Sequence, residues 1–372
     1  MKIRIENKKR KWLRGPYFID YDGNESVVCL LNGQEIPTQV DLKNKKIVVL
    51  LPDIAQNESV ELEVKQSAMQ DAQVKLLNNP EKGVVDIMIG DEHFSTYHYG
   101  SHVVRPYLNP LITVQGKSVL RPPVPEGNPE NLDHVHHRGV WVAHGDINGV
   151  DNWSEVEGCH GWTVHQSFVE IVSGSVFGRL HAISFWMDNS KTKKICEEER
   201  IITVYNMPAS ARIIDHVTIL KATEGELVFK DTKESGLLSV RVMPSMQANQ
   251  YGAFENSIGG INEDECWGKR AQWCDYYGPV DGVTVGVSVF DYPTNLRYPT
   301  WWHIRNYGLF SANFFGLSDF TGDKKISGTY ILPACQEMKL FYRIYVHEGD
   351  TRQGNVPTRY LNLLYPPAAS KE

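Results

Sequence analysis

The chain lacks any apolar run near the ~18 residues that cross a bilayer. Its start lacks the apolar stretch of about 7–15 residues that marks a secretory leader. These absences lead us to expect a cytoplasmic protein, or one whose leader has been removed. None of the six cysteines (Cys29, Cys159, Cys196, Cys266, Cys274, Cys335) stands in a Cys-x-x-Cys pair. Wide spacing of this kind suits a reducing compartment better than a disulfide scaffold. There is no G-x-x-x-x-G-K-[ST] or G-x-G-x-x-G, which removes nucleotide-dependent chemistry from the leading places. Without G-x-S-x-G a standard serine hydrolase is equally disfavoured. Basic charge is not in excess: the formal net charge is −7, against a nucleic-acid partner. The short basic start (Lys2 to Arg14) reads as a solvated edge. No repeat of 20–50 residues and no low-complexity tract occurs.

What the chain does have is strands. Its 372 residues are 41% hydrophobic and 22% charged, enough to bury a sizeable core. In residues 1–75, the runs Tyr17-Phe18-Ile19, Ser26 to Leu31, Lys46 to Leu51 and Val60 to Val64 alternate with turn signals such as Asp22-Gly23-Asn24 and Asn32-Gly33. This predicts a small N-terminal β-sandwich module. Polar residues from Met69 to Gly83, including Asn78-Asn79-Pro80, make the expected linker. From 76 to 372 strand patterns recur at intervals of roughly 8–12 residues, as in a sandwich or barrel. No helix of three turns with an apolar stripe and caps stands out. The expected fold class is all-β.

Histidine is unevenly spread. Nine of thirteen fall between His93 and His165, with the densest chemistry in Asp133-His134-Val135-His136-His137-Arg138-Gly139. Imidazole titrates near neutrality and is the commonest nitrogen ligand for metals. Strict alternation from His134 to His144 would put His136, Arg138 and His144 on one strand face, facing one cleft. His137 would anchor the other side. Burying several imidazoles without a task is costly, so the cluster reads as functional, although a single such histidine would read as structural. A His-x-His pair with a remote carboxylate or His303 could hold one divalent metal ion. Acid/base work without metal fits equally well.

A second concentration runs from Pro293 to Gly308 and includes Trp301, Trp302, His303, Arg305 and Tyr307. Flat aromatic faces stack on sugar C–H faces, while Arg and His bond hydroxyls or a carboxylate. The alternative is an aromatic loop that plugs the core. A third, Asp231-Thr232-Lys233-Glu234, follows a predicted strand, and Glu234 is its candidate general base. Asp231 and Lys233 read as a solvated turn. Arg105, with Pro106-Tyr107, is expected to close another wall, and Trp153 to lie in an aromatic lid.

Taken together, Arg105-Pro106-Tyr107, the tract from Asp133 to Gly139, His144-Gly145 with Asn148-Gly149, Trp267-Gly268 and Pro299 to Gly308 resemble the bacterial PmoA-like or DUF6807 family. The match covers about residues 85 to 350, and Val135 stands where that family usually has proline. The resemblance implies a galactose-mutarotase-like antiparallel β-supersandwich, a fold frequent among carbohydrate epimerases, lyases and hydrolases. It also implies a setting beside sugar oxidoreductases, which suits an oxidised (keto) glycoside as substrate. Fold analogy does not itself give a reaction.

The expectation is therefore a carbohydrate-active enzyme, a glycoside lyase or hydrolase, with His136, His137, Glu234 and His303 as catalytic residues. Arg105, Arg138, His144, Trp153, Trp302, Arg305 and Tyr307 would bind substrate. Aldose mutarotation or epimerisation is the enzymatic alternative, and a non-catalytic sugar-binding protein the other. The expected partner is a small-molecule carbohydrate, with no nucleic acid or membrane. Oligomeric state is left open.

Overall fold

The computed structural model describes residues 1–124, 133–208 and 211–371. Two eight-stranded antiparallel sheets dominate it. The first runs Trp302–Ile304, Leu309–Ala312, Ser235–Arg241, Val140–His144, Tyr107–Leu111, Glu92–His98, Val84–Ile89 and Val74–Asn79 from edge to edge. The second is built on the long strands Trp162–Val172, Phe177–Met187, Lys194–Tyr205, Ala211–Lys221 and Glu337–Glu348. One apolar cluster joins their inner faces: Val85, Leu108, Val140, Val240 and Phe310 of the first sheet pack with Leu180, Ile202, Ile214, Val287 and Leu340 of the second. Period-two alternation produces this. In Val84–Ile89, Val85, Ile87 and Ile89 are buried while the residues between them are only partly so, because successive side chains of a strand point to opposite faces. The all-β class is observed.

Near the N-terminus a five-stranded and a three-stranded sheet enclose a core of their own around Ile3, Trp12, Tyr17, Ile47 and Leu62. The C-terminal strand Ala368–Lys371 returns to pair with Lys2–Asn7. Residues 69–83, expected as a linker, instead contain the strand Val74–Asn79. It forms a hairpin with Val84–Ile89 across a turn at Pro80–Gly83. Val74 and Leu76 alternate inward there, a period that the neighbouring Asn and Pro residues obscure.

The longest helix is Val356–Leu364, shorter than three turns at 3.6 residues each. No helix of the described residues is long and apolar enough to cross a membrane.

The outer face of the first sheet differs from its core face. Residues directly opposite one another across a ladder share a face. Register therefore places His303, Ser311, Ser239, Trp141 and Tyr107 in one row across five strands. The neighbouring residues Trp302, Phe310, Val240, Val140 and Leu108 fall on the core side. That polar and aromatic row is the floor of the site.

Candidate functional site

The histidine tract is a turn rather than a strand. Residues 133–136 turn, and strand pairing begins only at Val140. His134 has φ +47° and Gly139 φ +86°, so the alternation expected from His134 onward is never set up. Two buried arginines hold the turn. Arg121 donates to the carbonyls of Asp133 (2.8 Å), His134 (2.7 Å) and His137 (3.1 Å). Arg241 donates to the Asp133 carboxylate and to His137 Nδ1 (3.1 Å). Gly139 is required because a Cβ there would lie 2.3 Å from the Leu108 carbonyl oxygen.

The turn stacks its rings on the floor. Trp141, His137, His134 and Tyr307 form a column with successive centroid separations of 5.1, 4.8 and 5.0 Å and interplanar angles of 23°, 15° and 10°. His136 stands edge-on to His137 at 4.4 Å and faces Trp153 at 6.0 Å. Trp153 is delivered by a side-chain-capped turn, in which Asp151 Oδ1 accepts from the backbone N–H groups of Trp153 and Ser154. The same turn presents Glu155. Its carboxylate accepts from Arg138 Nε (2.9 Å) and Nη2 (2.6 Å) and from Arg105 Nη1 (3.1 Å).

Charge is arranged around neutral imidazoles. Burial, with the Arg105 charge behind it, pushes His136 down to about 4. Burial likewise holds His137 well below its usual value, helped by His136 and Arg241. His303 is pushed to about 4 by burial, against the pull of the Glu234 carboxylate. All three are therefore uncharged at neutral pH. Burial works to raise Glu234, but the hydrogen bond and charge of Lys233 outweigh it and hold the carboxyl below its usual range. Glu155 is similarly raised by burial and lowered further by Arg138 and Arg105. Glu234 thus stands ionised within the electrostatic reach of both His136 and His303. The strand start at Ser235 and two hydrogen bonds from Asn313 to the carbonyls of Thr232 and Lys233 fix its loop.

Several buried polar atoms on this face have no well-formed partner among the described residues: both ring nitrogens of His303, Nε2 of His137 and Nε1 of Trp141. Buried polar atoms are nearly always paired, so these atoms call for a water or another polar group that the described side chains do not supply.

The structure brings together His136, His137, Glu234, His303, Arg105, Arg138, Trp153 and Tyr307. Two expected substrate contacts lie elsewhere. Trp302 is fully buried in the main core and its indole N–H donates to the Ala271 carbonyl (2.9 Å). It sits one residue from His303 and so takes the opposite face. His144 also faces the core, between Phe229 and Phe315, with Nδ1 on Ser235 Oγ at 2.8 Å. The expected convergence of His144 with His136 and Arg138 is corrected accordingly. Arg305 is in the turn after the short strand, paired with Glu263 at 2.9 Å, with its guanidinium 5.6 Å from the Tyr307 ring centroid. Among the described residues no three His, Cys, Asp or Glu side chains are placed to hold a metal ion.

Sequence reasoning missed Glu155, Arg121 and Arg241. Glu155 carried one signal, its position two residues after Trp153 in a loop already singled out. The arginines lie far from the tract in sequence and carried none. Asp231, read as solvated, accepts from Ser318 N, Ser318 Oγ and Gly328 N and ties down the loop beside Glu234.

Residues 84–360 match the model described as "Family of unknown function (DUF6807)". No curated protein matches the sequence. Among solved structures, similarity extends to a protein in the Glycosyl Hydrolase Family 38 from Enterococcus faecalis, at 9% identity, covering 99% of this chain and 47% of that one with a TM-score of 0.49. An alpha-mannosidase from Enterococcus faecalis V583 aligns at 8% identity over 99% of this chain and 45% of its own, also at 0.49. An alpha-galactosidase from Lactobacillus brevis aligns at 9% identity over 76% and 40%, at 0.36. The chain spans less than half the length of each of these three enzymes.

Proposed function

The chain belongs to the DUF6807 family, and we propose that it is a carbohydrate-active enzyme whose site performs acid/base chemistry on a glycoside. The observation that carries this reading is the pairing of one ionised carboxylate, Glu234, with the neutral imidazoles of His303 and His137, which keep ring nitrogens without a partner among the described residues, on a face walled by Trp153 and Tyr307. Aromatic walls suit the C–H faces of a sugar. Unpaired donors suit its oxygens.

The most concrete form is elimination from a keto-glycoside, the substrate that the family resemblance implies. Glu234 removes the proton from the carbon between the ketone and the anomeric carbon. Negative charge moves to the ketone oxygen, which the N–H groups of His303 and His137 receive; neutral imidazole is a sound donor to such an oxyanion. The anomeric C–O bond breaks as the ring double bond forms. The departing oxygen gains its proton through His136, which takes one from Glu234 at one nitrogen and gives one at the other. Arg105 and Arg138 hold Glu155 and keep the surroundings of His136 positive, which favours the anionic intermediate. The PmoA-like and galactose-mutarotase-like labels belong to the same proposal.

Product NMR over a panel of glycosides and their 3-keto forms tests it. Aglycone release with a new ring double bond is the expected result, and release with added water would indicate hydrolysis. Anomer exchange alone would point to the mutarotase reading. Line broadening without turnover of any panel member would leave a sugar-binding protein and overturn the enzyme reading.

A further inference from the structure

The hydrogen bond between Arg241 and His137 is unusual in its polarity. A histidine in an acid/base site generally donates its second N–H to a carboxylate or carbonyl, which makes the exposed nitrogen a base. Here the partner is a guanidinium, which has five N–H donors and no acceptor. Arg241 is 1% exposed and His137 is 1% exposed, so neither side chain has room to turn away. The contact from Nη1 to Nδ1 is 3.1 Å.

Arg241 is itself fixed from three sides. Its second terminal nitrogen is held by the Asp133 carboxylate, its guanidinium lies 4.8 Å from the Tyr307 ring centroid, and its backbone N–H donates to the Gly139 carbonyl at 2.9 Å. His137 is pinned equally: its ring is stacked between Trp141 and His134, and its carbonyl accepts from Arg121.

We propose that Arg241 is a positioning residue that locks His137 as the Nε2–H tautomer, a dedicated hydrogen-bond donor in the site that does not act as its base. A nitrogen facing an obligate donor must offer a lone pair, so the single imidazole proton resides on Nε2, the nitrogen with no partner among the described residues. The lock also forbids a second proton at Nδ1, since an imidazolium N–H would meet the guanidinium N–H head-on. This divides the labour of the adjacent pair, with His137 donating to substrate oxygen and His136 left free to exchange protons. The use of that donor toward a substrate oxyanion rests on the acid/base reading above; the tautomer does not.

The experiment is therefore done on the resting wild-type protein, labelled with ¹⁵N in histidine and arginine, near neutral pH. The expected spectrum has His137 with a protonated Nε2 and a bare Nδ1, together with a scalar coupling across the hydrogen bond between that Nδ1 and an Arg241 Nη. A protonated Nδ1, an imidazolium, or a bare Nδ1 without the coupling would each overturn the proposal. The answer is the same whether or not any glycoside is ever turned over. As a control on assignment, His137→Gln removes both the resonance and the coupling without requiring Arg241 to be replaced.

Discussion

Glu155 receives Arg138 in a two-point grip, with Nε at 2.9 Å from Oε1 and Nη2 at 2.6 Å from Oε2. Arg105, wholly buried, reaches the same carboxylate at 3.1 Å. Two cations therefore depend on one anion. Removing the charge with Glu155→Gln takes from the wholly buried Arg105 its carboxylate partner, and breaking a buried ion pair typically costs about 3–5 kcal/mol. Urea unfolding is expected to report a loss of that order. A change below about 1 kcal/mol would contradict the arrangement.

Gly139 gives a second test of the turn. Its φ of +86° and the 2.3 Å approach of a Cβ to the Leu108 carbonyl oxygen make Gly139→Ala both strained and clashing. A loss of about 2–4 kcal/mol is expected, read as a lowered unfolding midpoint. Unchanged stability would mean that the turn is not held as described.

How much of this was legible can be judged from neighbouring residues. Strand alternation exposed the all-β class, and the residue types of His136, His137, Glu234 and His303 drew attention to themselves. Facing was harder to read. Trp302 and His303 differ by one position, and nothing local says which of them turns to the core; the register with Ser311 and Ser239 decides it. The tract from His134 resembled a strand because alternation cannot see Arg121, which binds the carbonyls of Asp133, His134 and His137 from another part of the chain. Long-range partners of that kind leave no mark on the local pattern.

His303 separates structural from functional imidazoles. Among the described residues both its ring nitrogens lack a well-formed partner, so replacing it by an apolar ring of similar shape removes no good hydrogen bond there. His303→Phe is expected to leave the unfolding free energy within about 1 kcal/mol of wild type, or to raise it, while turnover is lost. A marked loss of stability would make His303 a structural residue.

Acid sensitivity follows from the buried neutral histidines. His136, His144, His165 and His303 are pushed to about 4 and His216 to about 3, chiefly by burial, from a reference of 6.5. A lowered folded-state value means that the unfolded chain binds more protons below pH 6.5, so stability falls as pH drops through the window from 6.5 to about 4. Each such group adds at most about 1.4 kcal/mol per pH unit. His347 acts in the opposite sense: burial lowers it, but Asp275 outweighs burial and raises it, so its contribution is present below 6.5 and fades as pH rises. Asp291, raised by burial to about 6, likewise loses its contribution as pH rises from about 4 to 6, so two groups offset only part of five. Denaturant unfolding across this window is expected to show a steep positive slope with pH, and a flat profile would contradict the neutral assignment.

The central claim is that Glu234 is the base that takes a carbon-bound proton. Incubating the wild type with a 3-keto-glycoside in ²H₂O and following the carbon between the ketone and the anomeric centre by NMR tests it most directly. Deuterium entry or loss of that proton is expected with wild type, and a rate reduced by about 10²–10⁴-fold with Glu234→Gln in a protein that unfolds normally. Equal rates for wild type and Glu234→Gln would contradict it.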